Sequence, residues 1–102
     1  LWKLPGGFIE EGENINDMLQ HCVKEELNIS IRVGRYLASV NHVYSHFRLT
    51  LQAFDCRLMK GNPEARTCQN WRWATTSQLE KLPMSKIDRK ILAEVASSSP
   101  LS

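Results

Sequence analysis

Leu4-Pro5-Gly6-Gly7-Phe8-Ile9-Glu10-Glu11-Gly12-Glu13, continued further on by Val23-Lys24-Glu25-Glu26-Leu27-Asn28-Ile29, is the stretch on which the fold turns. Pro5-Gly6-Gly7 is a turn signal, and two glycines in a row let the backbone come close to another element. Glu10 to Glu13 form an acidic loop. Asn14 is a helix cap, with Asp17 three residues on as a short-armed version of the capping box. Ile15, Met18, Leu19, Cys22, Val23 and Leu27 then recur at helical spacing and give one apolar face. Asn28 stands where this helix ends, because asparagine tolerates the left-handed conformation that closes a helix. Six acids fall between Glu10 and Glu26. Carboxylates in such a loop and on the following helix converge on a hard cation, and magnesium takes carboxylate oxygen, water and substrate phosphate. A lone Glu pair more often marks a solvated helix face; the Gly-Gly, Glu, Gly-Glu spacing ahead of this one favours the cation.

Outward from that stretch the pattern changes period. Residues 29–43 read as one or two strands, with Gly34 as a bulge or turn. Phe47, Leu49, Leu51 and Ala53 alternate with Arg48, Thr50 and Gln52, the cleanest strand signal in the chain. Lys60-Gly61-Asn62-Pro63 is a turn, and Trp71 and Trp73 alternate as a further short strand. Residues 75–82 form a helical turn before Pro83. Ser85 and Asp88 cap a last helix striped by Ile87, Ile91, Leu92 and Val95. The order strand, helix, strands, helix predicts an α+β domain with a mixed sheet between helices. The domain is expected over residues 1–96, with a frayed Ser-rich tail at 97–102.

The whole chain is 102 residues, enough for one compact domain. Residue 1 is not Met and falls in a strand-like segment, which reads as a piece of a longer chain with its first strand or strands missing. No apolar run has the length of a signal peptide core or a membrane helix. Charge is divided along the chain: two Lys oppose six acids over residues 1–29, and eleven basic residues oppose five acids over 30–102. The basic remainder suits a polyanion, although a solvated surface explains it equally well. Cys22, Cys56 and Cys68 form no CxxC pattern and no zinc spacing, and an odd number argues against a closed disulfide framework. Reduced thiols and a bacterial cytoplasmic setting are the expectation.

The opening stretch resembles the Nudix box. That box runs Gly, five residues, Glu, seven residues, Arg-Glu, an aliphatic, any residue, Glu-Glu, any residue, Gly, an aliphatic. Gly7, Glu13, Val23, Glu25, Glu26 and Ile29 fall in register. The resemblance implies a Nudix fold, with Glu25 and Glu26 as ligands of a magnesium ion. Three positions depart. His21 replaces the Arg, Cys22 replaces the adjoining Glu, and Asn28 replaces the Gly. A neutral thiol is a poor magnesium ligand. Cys22 also lies on the apolar stripe, as a core filler would. The resemblance therefore supports the fold more than it supports hydrolysis, and any magnesium site reads as vestigial.

A second resemblance lies downstream. Val40-Asn41-His42-Val43-Tyr44-Ser45-His46-Phe47-Arg48-Leu49-Thr50-Leu51 is similar to the C-terminal domain of the adenine DNA glycosylases (MutY), a degenerate Nudix fold. What this implies is a lesion-recognition domain in base excision repair, reading 8-oxoguanine opposite adenine in double-stranded DNA. Tyr44 would stack on the base, Ser45 would sense the N–H that oxidation creates at N7, and His42, His46 and Arg48 would hold the turn or contact phosphate. Under that reading the fragment has no cofactor of its own. The glycosylase chemistry and the 4Fe-4S cluster would belong to an N-terminal domain of the same chain, its partner. The alternative is a Nudix nucleoside diphosphate-X pyrophosphohydrolase with a degenerate box. It would hold magnesium on Glu25 and Glu26, and it must work with His21-Cys22 in place of Arg-Glu.

Overall fold

The computed structural model describes residues 1–98. Its elements are helix α1 (Ile15–Leu27), strands β1 (Ser30–Val43) and β2 (Arg48–Lys60), helix α2 (Thr76–Leu79) and helix α3 (Lys86–Ser98). The expected tail is shortened, because α3 includes Ser97 and Ser98; residues 99–102 lie outside the described residues. β1 and β2 pair as an antiparallel two-stranded sheet, so the arrangement is α+β as expected.

The chain divides into two compact units. One takes Leu1–Leu4, Arg35–Asp55 and the chain from Ala74 onward; the other takes Pro5–Gly34 and Cys56–Trp73. The first unit is built on a period-two pattern. Ala38, Val40, Leu51 and Ala53 lie on the inward face of the two strands, and Ile91 and Val95 of α3 pack on them together with Leu4 and Leu37. Ile91 is only 1% exposed and is the most completely enclosed large side chain described. Burying a side chain of that size stabilises by about 1.5–3 kcal/mol. Four-residue spacing from Ile91 to Val95 puts both on one side of α3.

Caps set the ends of these helices. Ser85 Oγ accepts from the Asp88 amide at 3.4 Å, the expected start of α3. Thr75 and Gln78 close a reciprocal capping box on α2, through bonds of 3.2 and 2.9 Å. The Arg89 guanidinium then donates to the carbonyls of Leu79 and Leu82, satisfying acceptors that the end of a one-turn helix leaves open.

Two expected strands are reduced. Residues 1–4 make one parallel bridge, Trp2 to Met84, with the Trp2 amide donating to the Pro83 carbonyl at 2.9 Å. Pro5 follows too soon for a ladder to extend. Trp71 and Trp73 form no strand; their rings meet edge to face at 6.3 Å, which the two-residue spacing also allows. β1 is a single strand through Gly34, so the glycine neither breaks nor turns it.

In the second unit Val23 and Ile29 are buried, one on the inner stripe of α1 and one just past its end. Among the described residues no helix is long and apolar enough to cross a membrane.

Ile91→Ala is expected to destabilise the chain by about 2–5 kcal/mol through lost burial and a residual cavity. Denaturant unfolding measures this, and a loss below 1 kcal/mol would show that the α3 contact is not the core of its unit.

Candidate active site

The acidic stretch folds as a loop and a capped helix inside one unit. Asn14 adopts an extended conformation and its side chain accepts from the Asp17 amide at 3.2 Å, which starts α1 where expected. The loop before it closes on itself. Glu13 Oε1 accepts from the Glu10 amide at 2.8 Å, and the Glu13 amide donates to the Glu10 carbonyl at 3.1 Å. Glu13 is thereby used as a loop clasp.

Gly7 is required by a close approach. A Cβ placed there would stand 2.7 Å from Cys22 Sγ and 3.8 Å from Met18 Sδ. Cys22 and Met18 are one turn apart, with their sulfurs at 3.7 Å. The half-buried thiol thus lies under the glycine turn as filler, in agreement with its place on the apolar stripe.

The Glu pair occupies the last turn of α1. Glu25 is exposed, and its Oε1 lies 3.1 Å from His21 Nε2 one turn earlier. An exposed pair of this spacing contributes no more than about 0.5 kcal/mol, so it orients Glu25 without immobilising it. Glu26, the next residue, is half-buried. α1 ends at Asn28, with φ 56° and ψ 38°, and the Asn28 amide closes the turn on the Lys24 carbonyl. The expected left-handed stop is therefore present.

On the Gln20–His21–Lys24 side of α1 is a hollow of about 310 Å³ lined by Gln20, His21, Lys24, Ser30 and Ile31, a lining that includes neither Glu25 nor Glu26. His21 belongs both to this hollow and to the contact with Glu25. Lys24 and Gln20 are site candidates that the sequence reading passed over. Their signal was available: residues 20, 21 and 24 share one side of a helix.

Whether these residues suit magnesium follows from the donors. Glu25 and Glu26 offer hard carboxylate oxygens, whereas Cys22 offers a sulfur turned toward Met18. Among the described residues no three His, Cys, Asp or Glu side chains come together as a metal cage. Two carboxylates are nonetheless the usual protein share when water and phosphate oxygens complete the shell. The donor set fits a cation held jointly with a polyphosphate.

The other predicted residues lie in the other unit, at the hairpin turn. The Tyr44 amide donates to the Phe47 carbonyl at 2.8 Å, closing the turn over Ser45 and His46. The Tyr44 ring stacks on Phe47 with centroids 4.6 Å apart, and His42 meets it edge-on at the same separation. Thr50 Oγ1 donates to Asn41 Oδ1 at 2.7 Å across the strands. Arg48 opens β2 and is exposed. His42, Tyr44 and Phe47 form one aromatic stack, while Glu25 and Glu26 stand in the separate loop-helix unit.

A NUDIX domain model matches residues 1–94. The chain belongs to the Nudix family. It is 28% identical to a CTP pyrophosphohydrolase of Escherichia coli, over 90% of this chain and 68% of that one. It is 29% identical to a Mycobacterium tuberculosis protein provisionally named 8-oxo-dGTP diphosphatase 2, over 93% of this chain and 68% of that one. The solution structure of the E. coli ORF135 protein superimposes with a TM-score of 0.83 at 25% identity, covering 99% of this chain and 74% of that one. These findings correct the glycosylase reading. The curated relatives bear the names of nucleotide diphosphatases and pyrophosphohydrolases, so the Nudix membership stands and the lesion-reading function does not. The hairpin motif at His42, Tyr44, Ser45, His46 and Arg48 resembled one branch of the fold, but a short aromatic turn between alternating strands specifies a hairpin, and not what the hairpin meets.

Gly7→Ala is expected to cost about 1–3 kcal/mol through overpacking against Cys22. The double variant Gly7→Ala/Cys22→Ala should recover most of that loss. A Gly7→Ala protein as stable as the parent, by thermal unfolding, would remove the close approach from the account.

Proposed function

We propose that this chain is a Nudix pyrophosphohydrolase for a nucleoside triphosphate or a related nucleoside diphosphate-X compound, working with magnesium. The observation that carries the reading is the Glu25–Glu26 pair on the last turn of a capped helix, with His21 Nε2 3.1 Å from Glu25. Relatives named for CTP pyrophosphohydrolase and 8-oxo-dGTP diphosphatase activity support it.

His21, one turn before Glu25 and in contact with it, supplies a donor for a phosphate oxygen. Glu25 and Glu26 would hold the cation, with phosphate oxygens and water completing its shell. When bound, the cation neutralises phosphate charge and makes a coordinated water easier to deprotonate. Water oxygen attacks one phosphorus of the pyrophosphate link, the bridging P–O bond breaks, and the water proton leaves to a base. Cys22 stands where the box has a further carboxylate. The missing acid removes either a ligand or that base, so turnover is slow relative to a complete box while nucleotide binding persists. His21 in place of Arg keeps a donor beside Glu25 but gives up the fixed guanidinium fork.

Two expected results test this. Magnesium-dependent release of pyrophosphate from CTP or dGTP should rise on Cys22→Glu, by roughly a hundredfold or more if a base is restored. Glu26→Gln should abolish what the parent has. Absence of pyrophosphate release from both the parent and Cys22→Glu would overturn the assignment. A second expectation concerns the cation alone: manganese should bind far more tightly with nucleotide present than without it, as a jointly held ion requires. Equal affinity in the two conditions would contradict the two-carboxylate site.

A further inference from the structure

Helix α1 ends on the acid pair, and the last carbonyls of any helix lack partners within it. Here the partners come from far along the chain. The Arg66 amide donates to the Glu26 carbonyl at 2.9 Å, and the Glu64 amide donates to the Leu27 carbonyl at 2.8 Å. The Cys68 thiol makes a second approach to the Glu26 carbonyl, at 3.7 Å. Asn28 Nδ2 donates to Glu64 Oε2 at 3.4 Å, and Arg66 Nε lies 3.9 Å from the same carboxylate oxygen. The strap begins in a tight approach: Gly61 has φ 99°, and a Cβ there would stand 3.1 Å from the Asn28 carbonyl oxygen.

We propose that residues 61–68 are a positioning strap for the Glu25–Glu26 pair, acting through the Arg66 amide and the Cys68 thiol on the Glu26 carbonyl. The inference rests on the pyrophosphohydrolase reading and deepens it. None of the strap residues touches the cation. They fix the peptide from which the Glu26 carboxylate projects, as outer partners of metal ligands commonly do. The box glycine fits the same scheme. Asn28 keeps the left-handed turn and adds a side-chain bond to the strap that glycine cannot make.

Geometry separates this role from general stability. The Arg66 and Cys68 contacts converge on one carbonyl, in the residue that supplies a proposed ligand. The Leu27 carbonyl next to it takes one strap contact, from the Glu64 amide, whereas the Glu26 carbonyl takes two. The loss expected on weakening these two is therefore one of cation affinity, in excess of any loss of stability.

The test uses the full chain and manganese with an α,β-methylene analogue of CTP, read by electron paramagnetic resonance, together with amide hydrogen exchange at residues 25–28. Arg66→Pro removes the amide donor and should weaken manganese–nucleotide binding roughly tenfold. Cys68→Ala should weaken it less, and Cys68→Ser, which keeps a donor, should recover most of the difference. Exchange at residues 25–28 should quicken in the two weakened variants. Thr75→Ala, which removes a cap of α2, should leave binding unchanged. If Arg66→Pro does not fold, the Cys68 pair still decides the matter. Equal binding by parent, Cys68→Ala and Cys68→Ser would overturn the positioning role and leave the pyrophosphohydrolase reading standing. A parent that binds no manganese–nucleotide would overturn both, because the strap would then have no site to position.

Discussion

The left-handed residue at Asn28 is the constraint on which the loop-helix unit depends. With φ 56° it stops α1 and turns the chain directly into Ile29, which is buried, and then into β1. Asparagine meets this requirement at lower cost than most residues, since its short polar side chain tolerates the conformation. One turn earlier stand Glu25 and Glu26, so the same event that ends the helix sets where the acids project. Continuing the helix by one turn would carry Ile29 round the helix and displace the strap amides from the carbonyls they now meet.

The other unit is held differently, by a narrow core. Ala38, Ile91 and Val95 are its buried residues, with Leu4, Leu37, Val40, Leu51 and Ala53 packed around them. The opposite strand face is polar at Ser39, Asn41, Thr50 and Gln52, as alternation requires. Considerable apolar surface remains outside, including Tyr36, Tyr44 and Phe47. Tyr36 and Phe54 meet edge to face at 5.8 Å, so part of that surface packs on itself.

Chemically, the site combines kept and lost parts of a family pattern. Glu25 and Glu26 remain, and Gly7 remains because a side chain there would strike Cys22. Glu13 remains but clasps its own loop. Cys22 has exchanged a charged side chain for packing beneath the glycine turn. The exchange keeps the loop and helix together while removing hard oxygen from the place where a cation would use it.

Local rules were enough to read α1, its Asn14 start and Asn28 stop, the alternating strand from Arg48, and the Ser85 cap of α3, because each depends on residues within a turn or two of one another. The register of Gly7, Glu25 and Glu26 was legible for the same reason and carried the family. The hairpin motif was legible as a hairpin and misleading as to its ligand, since its residues at 42–48 specify a turn and an aromatic stack and no binding partner. What only the tertiary structure decided are the long-range meetings: Arg66 and Cys68 on the Glu26 carbonyl, Gly7 against Cys22, Lys24 and Ser30 around one hollow, and the Trp2 bridge to Met84 in place of a strand. The Arg66 and Trp2 contacts join distant residues through backbone groups, which no residue type announces, and the others depend on which side chains the folded path brings side by side. Only the folded path brings the donor to its acceptor.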